Sequence, residues 1–286
     1  MVIICLMESF SIILFFGVGA SIFWGAADFS GGYATKMNNV FSVTFISQVF
    51  GTLLFLTLGF LSQESYPDNN SILLGLIAGI FGGTGVAIFY QALSEGRMGI
   101  VAPVSAVTTT LIPIIIGSFI DGRLQTVQYF SILLIIVSIW LVSIDDVEKT
   151  ISIALLKLPI LSGINFGLFF VFVKLASETT VYFPMVAARI ASMTILFSFG
   201  IITNKKSMFK ITNWYVIIIA GIADALGNTF FVFSARFGRL DIASALAGLY
   251  PITTVVLAIM ILKEKIHKLQ AMGILIAISG IILLNI

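Results

Sequence analysis

Apolar residues fill most of the chain in ten runs, and each run is closed by a short polar or charged stretch. Each run is about as long as the roughly 20 apolar residues that a helix needs to cross a bilayer. Because lipid offers the backbone no hydrogen-bond partners, such runs are predicted to be helices. The ten predicted spans are Ser9–Tyr33, Phe41–Leu61, Ile72–Leu93, Ile100–Phe119, Gln125–Ile144, Ile153–Leu175, Tyr182–Thr203, Trp214–Ala235, Ile242–Leu262 and Leu269–Ile286.

The second half of the chain repeats the first at a constant offset of 142 residues. A Gly-Arg-x-x-Ile motif at Gly96 recurs at Gly238 with this offset, which is hard to obtain by chance in apolar sequence. Five helices per repeat is an odd number, so the second repeat enters the membrane from the opposite side. We therefore predict an all-α integral membrane protein of ten transmembrane helices in two inverted five-helix repeats, residues 1–144 and 145–286, as is typical of secondary transporters.

Composition supports a membrane protein and excludes several other classes. Of the 286 residues, 59% are hydrophobic and 10% are charged, whereas soluble domains carry about 25% charged residues. The net charge of +2 is too small to indicate a nucleic-acid partner. One cysteine, Cys5, allows no intramolecular disulfide, and one histidine, His267, builds no metal site. Neither a metal nor a cofactor is expected, and no phosphate-binding Gly-x-x-x-x-Gly-Lys motif is present.

The first apolar run is expected to stay in the protein as a helix. It is preceded by Glu8 rather than by a basic cluster, which argues against a cleaved signal peptide. The loops after the odd-numbered spans hold more lysine and arginine than the other loops. The positive-inside rule then places both termini outside the cytoplasm.

Small residues line one face of the third span. Gly75, Gly79, Gly83 and Ala87 are spaced four apart, so they form a continuous stripe. Such stripes let helix backbones approach closely in lipid. The stripe is interpreted either as a sliding surface between moving helices or as static close packing.

Prolines predict interruptions at corresponding places in the two halves, at Pro103 and Pro113 in the fourth span and at Pro251 in the ninth. A proline inside a helix removes a hydrogen bond and frees a carbonyl. Paired interruptions of this kind point to a binding site near the bilayer midplane. The alternative is an ordinary kink that neighbouring threonine hydroxyls repair.

Asp28, Arg189 and Asp224 are ionisable residues inside the spans, where charge is costly and usually faces a cavity or a partner. Arg189 and Asp224 lie in successive antiparallel spans, at depths that differ by about 10 Å at 1.5 Å per residue. We hypothesise that they pair or share a cavity; alternatively, Arg189 snorkels to the interface. Asp28 either faces a cavity or lies at the water-exposed end of its helix. A proton-coupled carrier needs a buried carboxylate that takes up and releases a proton, and Asp28 and Asp224 are the candidates.

Aromatic and amide residues within the spans also carry polar atoms, among them Trp24, Tyr90, Asn165, Asn228 and Tyr250. Each polar atom needs a hydrogen-bond partner when it is buried. These residues are interpreted as candidate lining of a substrate cavity. The alternative is that each makes a buried structural hydrogen bond.

Together these features resemble the EamA type of the drug/metabolite transporter (DMT) superfamily, over nearly the whole chain. Local patterns add to the resemblance: Trp24 followed by glycine, Gly96 leading to Pro103, and Ile261–Lys265 before the last helix. The last of these is similar to the family's Gly-Glu-(Arg/Lys) turn, with Lys263 in place of the glycine. These motifs identify the superfamily better than they identify a substrate.

The resemblance implies a multi-pass carrier of the plasma membrane that exports a small organic metabolite by alternating access, with protons as a candidate coupling ion. It also implies cytoplasmic termini, against the charge count, and it leaves monomer and homodimer open. The alternatives are a drug-type multispecific exporter and a membrane protein without transport activity. Enzymatic chemistry would need clustered histidines and carboxylates or a nucleophile with its base, so no enzyme is expected.

Overall fold

The computed structural model describes the backbone of residues 2–95, 98–143, 153–202, 211–263 and 268–284. Side chains are described for residues 11–89, 91–92, 104–142, 156–198, 211–263 and 268–283. Within these ranges every regular element is a helix, and no strand occurs.

Eleven α-helices follow one another along the described chain. They are α1 (Val2–Thr35), α2 (Val40–Leu61), α3 (Asn69–Glu95), α4 (Met98–Ile120), α5 (Thr126–Ser143), α6 (Ile153–Ala176), α7 (Tyr182–Ile202), α8 (Trp214–Phe237), α9 (Leu240–Ala247), α10 (Tyr250–Leu257) and α11 (Lys268–Leu284). Six helical segments are long and apolar enough to cross a membrane, and four shorter apolar helices accompany them. The predicted spans are therefore helical, as expected where the backbone must pair its own polar groups.

The ninth predicted span is divided. It begins with α9, all eight residues of which are buried, and it resumes at α10, which continues into a π-helical turn at Ala258–Leu262. Pro251 has no amide hydrogen to donate to the carbonyl of Ala247, four residues earlier, so the first helix ends at that residue. The predicted interruption at Pro251 is thus a break between two short helices.

The fourth predicted span is not divided, which corrects the expectation of interruptions at Pro103 and Pro113. α4 runs without a break through both prolines. The fixed φ of proline is compatible with a helix, so each proline removes only one hydrogen bond. The hydroxyl of Thr110 donates to the carbonyl of Ala106 at 3.0 Å, as threonines in apolar helices commonly do.

Helices of one half pack mainly against helices of the other half, and the contacts occur in exchanged pairs. α1 packs along α8, while α6, at the repeat position of α1, packs along α3, at the repeat position of α8. Likewise α3 packs on α7, and α8 packs on α2. α5 and α11, which occupy the same repeat position, pack against each other. This exchange is the contact pattern that a twofold relation between two repeats produces.

The small-residue stripe of α3 forms the contact with α7. A Cβ atom added at Gly75 or Gly79 would collide with a backbone carbonyl of α7, and one at Gly83 would lie 3.0 Å from a backbone Cα. The matching glycine of α8, Gly221, meets the carbonyl of Ser47 in α2 in the same way. The stripe of α3 faces, in order, Pro184, Ala188 and Ser192.

We expect Gly79→Ala to lower the stability of the protein by about 1–3 kcal/mol, because the new methyl group meets rigid backbone. Gly31→Ala is the matched control, since a Cβ there has no atom within 4 Å and alanine favours the helix. Thermal unfolding of the detergent-solubilised protein measures both. Equal unfolding temperatures for the two variants would contradict this account of the packing.

Candidate functional site

A cavity of about 200 Å³ lies between the two halves. Eight helices line it, four from each half: α1 to α4, α6 to α8, and α10. The lining residues are Trp24, Asp28, Gln48, Gly82, Val86, Thr109, Phe166, Phe169, Phe170, Met185, Ala188, Arg189, Ser192, Asp224, Asn228 and Tyr250. Six of the eight side chains predicted to form a site therefore meet here.

Arg189 and Asp224 form an ion pair in the cavity wall. The guanidinium Nη2 donates to Oδ2 of Asp224. The guanidinium carbon also lies 5.6 Å from the ring centre of Phe55, within range of a cation–π interaction. The Arg189 side chain is 12% exposed, so it points into the protein rather than to the interface. The structure thus brings Arg189 and Asp224 together as an ion pair, as the pairing hypothesis expects.

Asn228 holds the Asp224 carboxylate from the next turn of α8. Its Nδ2 donates to the backbone carbonyl of Asp224 at 2.7 Å and to Oδ1 of the same residue at 3.3 Å. Its own side-chain oxygen has no hydrogen-bond partner in the described part of the chain. The same is true of the side-chain oxygen of Gln48 on α2. The wall beside the ion pair thus carries two buried amide oxygens without donors.

Asp28 lines the cavity and is exposed, four residues after Trp24 on the same face of α1. No described side chain forms an ion pair or hydrogen bond with its carboxylate. It lies seven residues before the end of α1, or about 10 Å along the axis. Of the two interpretations of Asp28, the geometry favours the cavity carboxylate.

Aromatic rings close the cavity on one side. Trp24 is buried and stacks on Phe170 at 5.0 Å between ring centres with an interplanar angle of 4°. Phe170 in turn contacts Phe231 at 4.7 Å. Gly227 is the residue of α8 that leaves room for the indole, because a Cβ there would collide with it.

Beyond the aromatic rings, at one end of the protein, charged residues join the connections after α4 and α8 to the last turn of α6 and the first turn of α9. Arg239 donates to both carboxylate oxygens of Asp241, at 3.1 and 2.8 Å, and to the carbonyl of Asp121 at 2.8 Å. The Asp121 carboxylate accepts from the amide of Leu240 at 2.8 Å and pairs with Lys174 at 3.7 Å. We call Asp121, Lys174, Arg239 and Asp241 the polar clamp. The hydrogen bonds to Asp241 raise the pKa of the Arg239 guanidinium, so its positive charge is retained.

The same end carries a second connection between the halves. The Glu64 carboxylate, in the connection after α2, accepts from the first amides of α7: that of Val181, that of Tyr182 at 2.8 Å and that of Phe183 at 3.3 Å. A carboxylate at a helix N-terminus satisfies free amides and complements the helix dipole. At the opposite end, the Thr212 amide donates to Asn38 at 2.7 Å, which links the connections after α1 and α7.

Two predicted site residues do not contribute described groups to the cavity. Asn165 accepts from the Thr84 hydroxyl at 2.8 Å and donates to the carbonyl of Leu161 at 2.8 Å, so it makes the structural hydrogen bonds of the alternative interpretation. The side chain of Tyr90 lies outside the described part of the chain, as does that of Pro103.

Sequence reasoning missed Gln48, the phenylalanines of α6 and the polar clamp. Gln48 had a usable signal, because it is the one amide side chain inside the second apolar run. Phenylalanines in an apolar run carry no signal that separates cavity lining from lipid contact. The partners in the polar clamp are far apart in sequence, and only the folded chain brings them together.

Comparison with known proteins gives a family match and a fold match. A family model described as the EamA-like transporter family matches residues 11–144 and 152–286. An uncharacterized protein of Methanocaldococcus jannaschii is 28% identical over 132 residues, which is 45% of this chain and 94% of that protein. A protein of known crystal structure is similar with a TM-score of 0.78 at 14% identity, with 96% of each chain covered. At that identity the likeness concerns the fold alone.

The ion pair predicts a specific pattern of mutant stabilities. Asp224→Asn leaves the Arg189 charge largely buried without its counter-ion and should lower stability by roughly 1–3 kcal/mol, less than for a fully buried pair because the carboxylate is 37% exposed. Adding Arg189→Gln removes the unpaired charge and should recover much of the loss. Thermal unfolding of both single variants and the double variant forms a double-mutant cycle. Additive losses would contradict the pairing.

Proposed function

Because the chain belongs to the EamA-like transporter family, we propose that it is a secondary active transporter of a small organic metabolite, working by alternating access. The observation that carries this proposal is the cavity between the halves, to which each half contributes four helices. Binding sites of secondary transporters lie between repeats near the bilayer midplane. The polar and aromatic lining suits an organic solute. Export across the plasma membrane is the direction and location that we propose.

The proposed architecture is ten membrane crossings in two inverted repeats, residues 1–144 and 145–286. The exchanged packing of α1 on α8 and α6 on α3 supports this relation between the halves. The archaeal relative is consistent with a division into halves, because 94% of its length matches 45% of this chain.

We propose that, in the state that the structure describes, the cavity is accessible from one end of the protein and closed at the other. Between the aromatic rings and the end that carries the polar clamp, α9 is buried throughout. Beyond α9, the polar clamp holds the connections together. Asp28 and Gln48 lie in the opposite half of the cavity, each within about three helical turns of the other end. In the proposed cycle the polar clamp opens when the cavity closes at that other end.

Weakening the polar clamp should expose the buried helix α9. In a Cys5→Ser background, a cysteine introduced by Ala243→Cys is fully buried and should react slowly with a polar maleimide. Arg239→Gln removes the contacts to Asp121 and Asp241, and we expect it to speed this labelling about tenfold. Arg236→Gln is the matched control, since the one hydrogen bond that Arg236 makes to the described residues is a 3.4 Å contact to the carbonyl of Thr179. Unchanged labelling in Arg239→Gln would argue against the polar clamp as a gate.

Transport itself can be tested in proteoliposomes that are loaded with a pooled metabolite mixture, with and without a pH gradient. We expect at least one organic solute to leave the vesicles faster than from protein-free liposomes, because the cavity offers it a site between the halves. Mass spectrometry of the external medium identifies the solute. No protein-dependent movement of any solute across a broad mixture would contradict the proposed function.

Coupling to protons is tested in the same vesicles. The gradient should drive the solute, and Asp28→Asn with Asp224→Asn should remove that dependence, since these are the two carboxylates among the described residues that line the cavity. Asp68→Asn, in the exposed connection before α3, is the matched control. Proton coupling is refuted if transport ignores the gradient and survives the double substitution.

A further inference from the structure

Two buried side-chain oxygens in the cavity wall have no hydrogen-bond partner among the described residues, and both are acceptors. The side-chain oxygens of Gln48 and Asn228 are hydrogen-bond acceptors without donors, in residues that are 6% and 2% exposed. Asp28 adds a carboxylate that has no cation beside it among the described side chains. Buried acceptors without donors are costly, and a ligand that brings donors relieves that cost.

Arg189 is the one cation among the described lining residues of the cavity, and its charge is already balanced. It donates to Asp224 and faces the Phe55 ring, and the side chain of Asn228 donates two hydrogen bonds to Asp224. An anionic ligand that approached the guanidinium would also approach the Asp224 carboxylate, which repels it. Asp28, Asp224 and Arg189 together leave one negative charge in the cavity when all three are ionised. The charge and the free hydrogen-bonding groups therefore favour the same ligand, a donor-rich cation.

The aromatic lining of the cavity determines what the uncharged part of the ligand can be. Five aromatic side chains line the cavity: Trp24, Phe166, Phe169, Phe170 and Tyr250. Aromatic faces attract organic ammonium groups as well as rings. A cavity of about 150 Å³ accommodates benzene, so the present cavity of about 200 Å³ suits one ring with a short substituent.

We propose that the cavity binds a primary or secondary organic amine in its protonated form, with the ammonium group at Asp28 and an apolar or single-ring body against the aromatic wall. Asp28 supplies the counter-charge, and the side-chain oxygens of Gln48 and Asn228 are the acceptors available for further hydrogen bonds from the ligand. This proposal names the substrate class for the cavity and rests on the proposed transport function.

The test measures binding separately from transport. The full chain is placed in lipid nanodiscs and titrated with four probes that share one ring: phenethylamine, 2-phenylethanol, phenylalanine and 3-phenylpropanoate. Calorimetry gives each dissociation constant at pH 7. We expect phenethylamine to bind about tenfold more tightly than the neutral alcohol, and the carboxylate-bearing probes to bind more weakly still, since Arg189 is engaged.

Substitutions at Asp28 test the assigned contact. Asp28→Asn should weaken the binding of phenethylamine about tenfold and leave the affinity for 2-phenylethanol unchanged. Asp28→Glu should retain the preference for the amine. Asp68→Asn, an exposed carboxylate outside the cavity, is the matched control and should change neither affinity. Equal affinity for the amine and the alcohol in the unaltered protein would overturn the proposal. Binding of phenylalanine or 3-phenylpropanoate more tightly than phenethylamine would overturn it as well.

Transport of the same probes separates the two proposals. Amine-selective binding without movement of any solute in proteoliposomes would uphold the amine site and contradict the transport function. Movement of neutral or anionic solutes, together with no preference for the amine in binding, would uphold transport and overturn the amine site.

Discussion

Close contact between helix backbones of the two halves is the constraint on which the rest of this structure depends. In lipid, apolar side chains gain little by meeting each other, so helices associate where small residues let them approach. Gly79 of α3 meets the carbonyl of Ala188, and Gly221 of α8 meets that of Ser47. These contacts fix α7 and α2 against their partners from the opposite half, and they place the faces of these helices around one cavity.

The ion pair follows from that packing. Gly51 of α2 lies beside Gly221, and a Cβ atom at Gly51 would be 3.9 Å from the Arg189 guanidinium carbon. The small residues therefore leave a space that the guanidinium fills between α2, α7 and α8. A charge so far from water needs a counter-ion, and Asp224 supplies it with the help of Asn228. Beside this pair, the buried side-chain oxygens of Asn228 and Gln48 have no donor among the described residues.

The two ends of the protein differ although the halves repeat. At the 142-residue offset, Arg239 of the polar clamp corresponds to Arg97, but Asp241 corresponds to Gly99 and Asp121 to Lys263. The arginine is duplicated while its acidic partners are not. Among the described residues, the charged closure lies at the end where Glu64 also caps α7.

The sequence by itself determined the helical class, the position of almost every helix, the duplication and the close packing at the α3 stripe. These features depend on local composition and on residues four apart, which a helix brings together wherever it lies. It also singled out Asp28, Arg189 and Asp224, because charge in an apolar run is visible without a structure. Only the tertiary structure decided that Asn165 bonds to Thr84 rather than lining the cavity, that α4 runs through its prolines, and that Asp121 meets Arg239. The reason is physical: whether a polar side chain faces a neighbour, a cavity or lipid depends on the rotation of each helix against the others, and that rotation is set by contacts between distant residues.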